Sequence, residues 1–256
     1  MTEAEAADRL AAADIPDPRR EARRLARAGS GRALAEMVTR RCAGEPMSHI
    51  LGYRDFWHHR FEVTADVLDP RPETETLVAT ALEGAVERVL DLGTGSGCIL
   101  LSLLAARPAA RGTGTDLSSA ALAVAARNAQ ALGVADRVTL HPSDWWDRVT
   151  GRFELIVSNP PYIAADDMAD LQRELGFEPR IALTDGGDGL SAYRAITAGV
   201  AAHLAPSGRL LLEIGPTQGA AVCAMVQAAG LGQVQVLPDL DGRDRVVTGT
   251  QPPGAP

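Results

Sequence analysis

The sequence contains no lysine, since all 25 of its basic residues are arginine. We interpret this usage as coding bias without functional content. It also contains no apolar run near the roughly 18 residues that cross a bilayer, and its first ten positions carry Glu3, Glu5, Asp8 and Arg9, where a signal peptide would be apolar. We therefore expect a cytoplasmic protein that does not contact membranes.

Cysteine and histidine are scarce and poorly placed for metal binding. Cys42, Cys98 and Cys223 lie far apart in sequence, are odd in number and fit no metal-ligand spacing, so we expect them to be small core residues. His58 and His59 are adjacent and would point to opposite faces of a strand. We expect neither a disulfide framework nor a bound metal.

Positive charge is also in deficit over the whole chain. The net charge is −8, which opposes the broad basic surface that nucleic-acid binding usually needs. This charge weakens a DNA or RNA substrate as an interpretation without excluding it. A hydrophobic fraction of 46% with 23% charged residues is typical of a folded globular protein.

The residues that are present divide the chain into an N-terminal and a larger C-terminal part. Residues 1–48 are rich in Ala, Arg and Glu with apolar positions at helical spacing, which predicts a small helical domain. Between residues 19 and 41, eight arginines are balanced by only two glutamates. This excess either forms a solvated helix face or docks an acidic macromolecular partner. Residues 49–70 mix aromatic, β-branched and polar residues, which predicts a linking β-hairpin.

Residues 71–251 alternate short apolar runs with longer helical stretches, and residues 252–256 form a tail. The alternation predicts an α/β domain built on a parallel sheet with crossover helices. The predicted strands are 87–92, 111–116, 137–141, 152–158, 208–214 and a final pair near 233–237 and 245–249. The predicted helices are 97–106, 118–132, 190–204 and 217–229. The stretch 159–189 is too long and irregular for a plain connector, so we expect it to carry function.

A glycine-rich turn follows the first predicted strand of the α/β domain. Gly93, Gly95 and Gly97 lie between an apolar strand and a helix, where the chain must turn tightly and let a ligand approach its backbone. Asp116 ends the next strand, about 20 residues further on, where a carboxylate can accept hydrogen bonds from two ribose hydroxyls. The pair predicts an adenosine-containing ligand, although Asp116 could instead cap the next helix.

Two details favour S-adenosylmethionine over a dinucleotide. The glycines are spaced G-x-G-x-G, one residue tighter than the dinucleotide fingerprint. The later segment SDWW follows the third predicted strand, where Trp145 either lies against an adenine ring or packs in the core. A glycine turn alone is also compatible with an NAD enzyme or with a purely structural turn.

The most specific motif is Asn159-Pro160-Pro161-Tyr162, directly after the apolar strand FELIVS. Its two prolines stiffen the loop, which lies at the strand end that faces the ligand crevice. The Asn159 side-chain carbonyl and the Pro160 main-chain carbonyl can accept the two N–H bonds of a primary amide or amine. Both bonds would strengthen as the attacking nitrogen becomes cationic, and Tyr162 would pack on the flat acceptor group. The motif predicts methyl transfer to such a nitrogen.

At this level of detail the sequence resembles the release-factor glutamine N(5)-methyltransferases. The motifs that carry the resemblance cover most of the chain and occur in family order: EPMSHILGYRDFW, DVLDPRPETETLV, VLDLGTGSGC, SDWW, LIVSNPPYI, EPRIALTDGGDGL, LLEIG and GRDRVVTG. PRPETE, at residues 70–75, is particularly discriminating, because related ribosomal-protein and nucleic-acid methyltransferases share NPPY but differ there. His49, His58 and Asp69 depart from the family pattern, and these departures bear on partner docking more than on catalysis.

The resemblance implies a Rossmann-like class I methyltransferase fold with a seven-stranded sheet and a small helical N-terminal domain that helps dock the release factor. It implies that the glutamine of a Gly-Gly-Gln motif in peptide chain release factors is methylated, with Asn159, Pro160, Pro161 and Tyr162 holding it. The implied cofactor contacts are Gly93, Thr94, Gly95, Ser96, Gly97, Asp116, Trp145 and Asn159. We expect a monomer. The alternatives are an adenine or guanine exocyclic-amine methyltransferase and a catalytically silent cofactor-binding scaffold.

Overall fold

The computed structural model describes residues 1–84, 86–170 and 173–254. Its N-terminal region is helical, with α1 (Glu3–Ala12), α2 (Pro18–Ala28), α3 (Gly31–Cys42) and the short α4 (Met47–Leu51). The Thr2 side chain and the Glu5 side chain each cap the other's backbone N–H at the start of α1. The buried apolar faces of these helices form their own small core, which includes Ala6, Leu10, Ala22, Leu25, Leu34 and Val38.

A two-stranded antiparallel hairpin follows, with β1 (Tyr53–Phe56) and β2 (His59–Glu62). The hairpin is shorter than the predicted segment 49–70, because α4 continues through Leu51 and ends where Gly52 adopts a left-handed backbone, φ 79°. Phe56 and Phe61 are buried in the core of the main sheet. The hairpin is therefore packed onto the larger domain.

The main sheet has seven strands flanked by helices on both faces. Its strands are β3 (Arg88–Leu92), β4 (Arg111–Asp116), β5 (Val138–Pro142), β6 (Phe153–Ser158), β7 (Leu204–Glu213), β8 (Gly232–Pro238) and β9 (Asp244–Thr250). The helices are α5 (Glu75–Ala81), α6 (Cys98–Ala106), α7 (Ser119–Ala131), α8 (Arg180–Leu183), α9 (Ser191–His203) and α10 (Gly219–Ala228). Strand β3 alternates between the faces: Val89 packs with α5 and α6, whereas Leu90 and Leu92 pack with α9.

The sheet is mixed, which corrects the prediction of a parallel sheet. Its strand order is β5-β4-β3-β6-β7-β9-β8, and β9 pairs antiparallel with both β7 and β8. β7 also begins at Leu204, four residues before the predicted start at 208, because Leu204 pairs with Phe153 ahead of a register shift. Between Leu204 and Arg209 the pairing with β6 is interrupted, and Ser207 in this stretch has a positive φ of 62°.

The strand order places the two sequence motifs side by side. β3 and β6 are neighbours, and successive crossovers run from this pair in opposite directions, so the crevice at their carboxyl ends is the topological switch point. The Ser158 hydroxyl donates to the Leu92 carbonyl at 2.6 Å, which joins the two strand ends. The glycine turn after β3 and the NPPY loop after β6 therefore open into one crevice.

Within residues 1–84, 86–170 and 173–254, no helix is both long enough and apolar enough to cross a membrane. The three cysteines are free thiols, with Cys98 buried and the other two half-buried. Among the described residues, no group of three His, Cys, Asp or Glu side chains is arranged to hold a metal ion.

Candidate active site

The first cleft in the crevice, which we call the glycine-loop pocket, lies against the turn after β3. Residues 93–96, 115–118 and 143–145 line it, together with Asn159 and Pro161. Residues 66–68 and Pro179, Ile181 and Ala182 also line it. All the predicted cofactor contacts except Gly97 therefore lie around one cleft.

The glycines of the turn serve two different structural purposes. Gly93 and Gly95 have positive φ angles of 71° and 56°, and a Cβ atom at either would meet nothing within 4 Å, so their backbone is open to the pocket. Gly97, with φ 81°, is enclosed: a Cβ atom there would lie 2.9 Å from Leu101 Cδ1 and 3.3 Å from Ala125 Cβ. Both the left-handed backbone and the packing favour glycine at 97, and Gly97 is not among the described residues that line the pocket.

Three hydrogen bonds from neighbouring segments fix the backbone of the glycine turn. The Thr94 hydroxyl donates to the Asp91 carboxyl at 2.7 Å, and the Thr94 N–H donates to the Thr115 carbonyl at 2.8 Å. Asp91 is fully buried, and burial raises its pKa to about 7. The Asn128 amide donates to the Ser96 carbonyl at 2.9 Å. The backbone of residues 93–96 is thus fixed by the protein before any ligand binds.

Asp116 lies at the end of β4 and its carboxylate holds two loops together. One oxygen accepts the Gly95 N–H at 2.9 Å and the other accepts the Ser118 N–H at 2.8 Å. Burial raises the pKa of Asp116, and these backbone hydrogen bonds oppose the rise. The cap of α7 is Ser118, whose hydroxyl accepts the Ala121 N–H. Because each carboxylate oxygen has a second lone pair, Asp116 can still accept two more hydrogen bonds from a ligand.

The two adjacent tryptophans of SDWW have different surroundings. Trp145 is half-buried, has a positive φ of 44° and lines the glycine-loop pocket while packing on the core. Trp146 turns away, stacks on His203 with ring centroids 4.8 Å apart and donates its indole N–H to the Ala195 carbonyl. Both interpretations of Trp145, a ligand contact and a core contact, are compatible with this placement.

A second cleft, which we call the NPPY pocket, opens beside the first. It is lined by Asn159, Pro160 and Tyr162, and by charged residues from distant segments, namely Arg71, Glu73, Glu174, Glu213 and Arg245. The two pockets share Leu68, Arg71, Asn159 and Ala182. A molecule in one pocket can therefore meet a molecule in the other beside Asn159.

The Asn159 side chain is held at one end and unpaired at the other. Its amide nitrogen donates to the Thr74 hydroxyl at 3.3 Å, whereas its carbonyl oxygen is buried with no partner among the described residues. A buried acceptor without a partner is costly unless a ligand supplies a donor. Tyr162 is half-buried, and burial raises its pKa to about 12, so its hydroxyl stays neutral near pH 7.

Comparison with known proteins decides the family. Residues 65–190 match the family model described as Methyltransferase small domain. A curated release factor glutamine methyltransferase from Cereibacter sphaeroides is 54% identical to the chain over 96% of both chains. The chain belongs to the release factor glutamine methyltransferase family. Its similarity to a curated release factor glutamine methyltransferase from Bordetella pertussis is 45% identity over 93% of this chain and 96% of the relative. The resemblance inferred from the motifs is thereby confirmed.

Solved structures support the fold. A methyltransferase from Pyrococcus furiosus aligns with 75% of this chain and 88% of its own, with a TM-score of 0.58 and 17% identity. The hMettl16 catalytic domain aligns with 75% of this chain and 74% of its own, with a TM-score of 0.62 and 14% identity. Together with the seven-stranded sheet and the helical N-terminal region, these similarities confirm the predicted class I methyltransferase fold.

Gln218 and the DGGDG turn, residues 185–189, both contact the NPPY loop and support it. The Gln218 amide donates to the carbonyls of Tyr162, at 2.9 Å, and Gly189, at 3.1 Å. Gly189 has φ 74°, and a Cβ atom there would lie 2.4 Å from the Tyr162 carbonyl oxygen. Asp185 accepts the N–H groups of Gly187, Gly189 and Ser191, which fixes the DGGDG turn. That motif therefore supports the NPPY loop from behind.

The PRPETE motif, residues 70–75, connects several segments around the two pockets. Arg71 forms an ion pair with Glu178 of the EPRIAL segment and lies 3.9 Å from Asp69, which also pairs with Arg54 at 3.6 Å. Thr74 holds Asn159, and the Glu75 carboxylate accepts the Trp57 N–H at 2.7 Å. One sequence feature points to such contacts: the motifs EPRIAL, LLEIG and GRDRVVTG each place charged residues beside an apolar run.

An ion-pair network joins the helical region to the NPPY pocket. Arg41 of α3 is buried, with its guanidinium 2.7 Å from Glu21 of α2 and 2.6 Å from Glu174. Because Glu174 lines the NPPY pocket, the helical region contacts one wall of that pocket. This contact was missed because nothing in the sequence separates Arg41 from the seven arginines before it.

Proposed function

We propose that the chain transfers the methyl group of S-adenosylmethionine to the side-chain amide nitrogen of the glutamine in the Gly-Gly-Gln motif of peptide chain release factors. The observation that carries this proposal is the junction of the two pockets at Asn159, where a buried carbonyl oxygen has no partner. The relatives named for glutamine methylation of release factors support the choice of acceptor.

The residues that line the glycine-loop pocket match the chemical groups of S-adenosylmethionine. Asp116 has lone pairs for two ribose hydroxyls, and residues 93–96 offer an open, prearranged backbone to the rest of the cofactor. Trp145 supplies an aromatic surface for the adenine. Gly97 lets Ala125 of α7 pack closely against the turn and so supports the site through packing. When bound, the cofactor supplies an electrophilic methyl group on a sulfonium centre.

The NPPY loop would position the acceptor amide. The carbonyl oxygens of Asn159 and Pro160 accept its two N–H bonds, which aims the nitrogen lone pair at the methyl group. As the nitrogen gains positive charge, both hydrogen bonds strengthen, so the loop stabilises the transition state more than the ground state. Tyr162 packs on the flat amide, and Pro161, on the cofactor side, stiffens the loop between the two pockets.

The helical region is proposed to help dock the release factor. Of its eight clustered arginines, Arg41 is buried, and Arg23, Arg32 and Arg40 pair with glutamates. Arg19, Arg20, Arg24 and Arg27 have no ion pair among the described residues. Replacing Arg19, Arg20 and Arg27 with glutamine should raise KM for the release factor with unchanged cofactor affinity, whereas the control Arg148→Gln should change neither. A KM equal to that of the parent protein would assign this surface to solvent alone.

The proposed protein is a monomer that acts in the cytoplasm. Its proposed division is a helical docking domain (residues 1–48), a β-hairpin linker (49–70), a methyltransferase domain (71–251) and a tail (252–256). Translation takes place in the cytoplasm, where the acceptor is found. Sedimentation at working concentration should give a single species of 26.9 kDa. A dimer would overturn the monomeric assignment.

The acceptor class is tested by incubating the protein with S-adenosylmethionine labelled in its methyl group and three separate acceptors: an unmethylated release factor, RNA and DNA. We expect label in the release factor alone. Label in RNA or DNA with an unlabelled release factor would replace the proposal with exocyclic-amine methylation of nucleic acid. Cofactor binding without label in any acceptor would favour the silent scaffold.

A further inference from the structure

We propose that Thr74 and Glu213 are positioning residues that set which end of the Asn159 amide faces the acceptor. This inference rests on the proposed function, because it concerns how the NPPY loop receives a primary amide. It assigns a role to the PRPETE motif and to the buried glutamate of LLEIG.

The sheet register places Asn159 and Glu213 next to each other. Ser158 at the end of β6 pairs with Leu212 of β7, so the following residues, Asn159 and Glu213, lie at the same edge. Both line the NPPY pocket. Thr74, which is 1% exposed, accepts the Asn159 amide N–H at 3.3 Å. Its hydroxyl also lies close enough to the Glu213 carboxyl to lower the pKa of that group. In the arrangement we propose, the three side chains are linked in the order Asn159, Thr74, Glu213.

The single proton of the Thr74 hydroxyl decides the direction of this chain. When Glu213 is ionised it can only accept, so Thr74 donates to it and its oxygen is left to accept from the Asn159 nitrogen. The Asn159 carbonyl oxygen then stays on the opposite side, unpaired, as the structure shows. Asn159 can then accept an N–H bond from the acceptor amide.

Protonation of Glu213 allows the opposite arrangement. A protonated carboxyl can donate to the Thr74 oxygen, which frees the Thr74 hydroxyl proton for the Asn159 carbonyl. The Asn159 side chain then presents its NH₂ group to the acceptor amide. Two donors would face each other there, so this arrangement cannot hold the acceptor.

The surroundings of Glu213 place its titration in the neutral range. Glu213 is 1% exposed, and burial raises its pKa to about 7, against the opposing hydrogen bond from Thr74 and the charges of Arg245 and Arg71. One carboxyl oxygen has no partner among the described residues. The other titratable groups that face it are Glu73 before α5, Cys98 of α6, Tyr162 of the NPPY loop and Tyr193 of α9.

The rate of methyl transfer should therefore depend on pH in a defined way. A carboxyl one pH unit below its pKa is ionised in about one molecule in eleven. At saturating release factor and cofactor, kcat should fall about tenfold per pH unit below the pKa of Glu213 and level off above it. The acceptor amide and the sulfonium methyl group do not titrate in this range, so they contribute no such limb.

The test compares kcat from pH 6 to 8.5 in the wild-type protein, in Thr74→Ser, which keeps the hydroxyl, in Thr74→Val, which removes it at similar volume, and in Glu213→Gln, which removes the titration. We expect an acidic limb in the wild type and in Thr74→Ser. Thr74→Val should lose the limb and about tenfold in kcat at pH 8.5, on the scale of one hydrogen bond, with KM little changed. Glu213→Gln should give a flat profile.

Three results would overturn the inference: a flat wild-type profile, an acidic limb that persists in Glu213→Gln, or wild-type kcat and profile in Thr74→Val. Calorimetric cofactor affinity and thermal melting of each variant identify any that are misfolded. If Glu213→Gln does not fold, a flat wild-type profile or an unchanged limb in Thr74→Val still overturns the inference, and loss of the limb in Thr74→Val separates Glu213 from Asp91, whose pKa is also about 7. A wild-type protein that binds cofactor but transfers no methyl group to release factor at any pH would instead contradict the proposed function, and this inference with it.

Discussion

Removing the carboxylate of Asp116 should separate cofactor binding from folding. Asp116→Ala deletes the two acceptors assigned to the ribose hydroxyls, each worth about 1.5–3 kcal/mol if charge-assisted. Losing both costs about 3–6 kcal/mol, which is a 10²-fold to 10⁴-fold weaker Kd at about 1.4 kcal/mol per tenfold. The substitution also leaves the N–H groups of Gly95 and Ser118 without their acceptor, so a modest loss of thermal stability should accompany it.

The assay is isothermal titration calorimetry with S-adenosylmethionine and with S-adenosylhomocysteine, after circular dichroism has shown that the variant is folded. Asp136→Ala is the matched control, because it is the same substitution at an exposed position outside the pocket. The control should bind as the wild type does. A folded Asp116→Ala protein whose Kd lies within about threefold of the wild-type value would leave Asp116 a loop-fixing role only.

Three further predictions follow from the site. Asn159→Ala should lower kcat about 10²-fold with folding preserved, the scale of losing one transition-state hydrogen bond; steady-state kinetics showing normal turnover would exclude Asn159 as the amide acceptor. Gly189→Ala should displace Tyr162 and reduce methyl transfer with cofactor affinity unchanged, because its Cβ atom would meet the Tyr162 carbonyl at 2.4 Å; wild-type kinetics would show that the loop does not need this support. Burial raises the pKa of Asp91 from 3.8 to about 7. The stabilising contribution of its protonated form, as much as ~4 kcal/mol, is therefore present below pH 4 and lost as the pH rises through 7. Tm should fall from pH 5 to 8, and less steeply in Asp91→Asn; equal slopes in the two proteins would contradict this.

The sequence was informative wherever function depends on local order along the chain. The turn at residues 93–97, its spacing to Asp116 and the NPPY loop each lie at the end of one strand, so alternation of strands and helices places them in one crevice. Six of the seven predicted strands match the observed bounds within one residue at each end. The exception, β7, begins early because of pairing with Phe153, which local propensity does not encode.

Contacts between distant segments could not be derived in this way. Arg71 and Glu178 are 107 residues apart in sequence, and Gln218 is 56 residues from Tyr162. Their partners are fixed by sheet order and by the path of residues 159–189. Glu213 illustrates the same limit: its burial beside Asn159 depends on the register of β6 and β7. The residues that line a site directly are read from motifs, whereas those that orient them require the fold.

The central claim is tested most directly by mass spectrometry of a release factor after reaction with the protein and S-adenosylmethionine. The claim predicts one added methyl group, on the side chain of the glutamine in Gly-Gly-Gln. It predicts almost none when that glutamine is changed to asparagine, because the shorter side chain stops the nitrogen about 1.5 Å short and a misplacement of about 1 Å can cost roughly 10²-fold. Equal methylation of the asparagine variant, or a methyl group at another position, would contradict it.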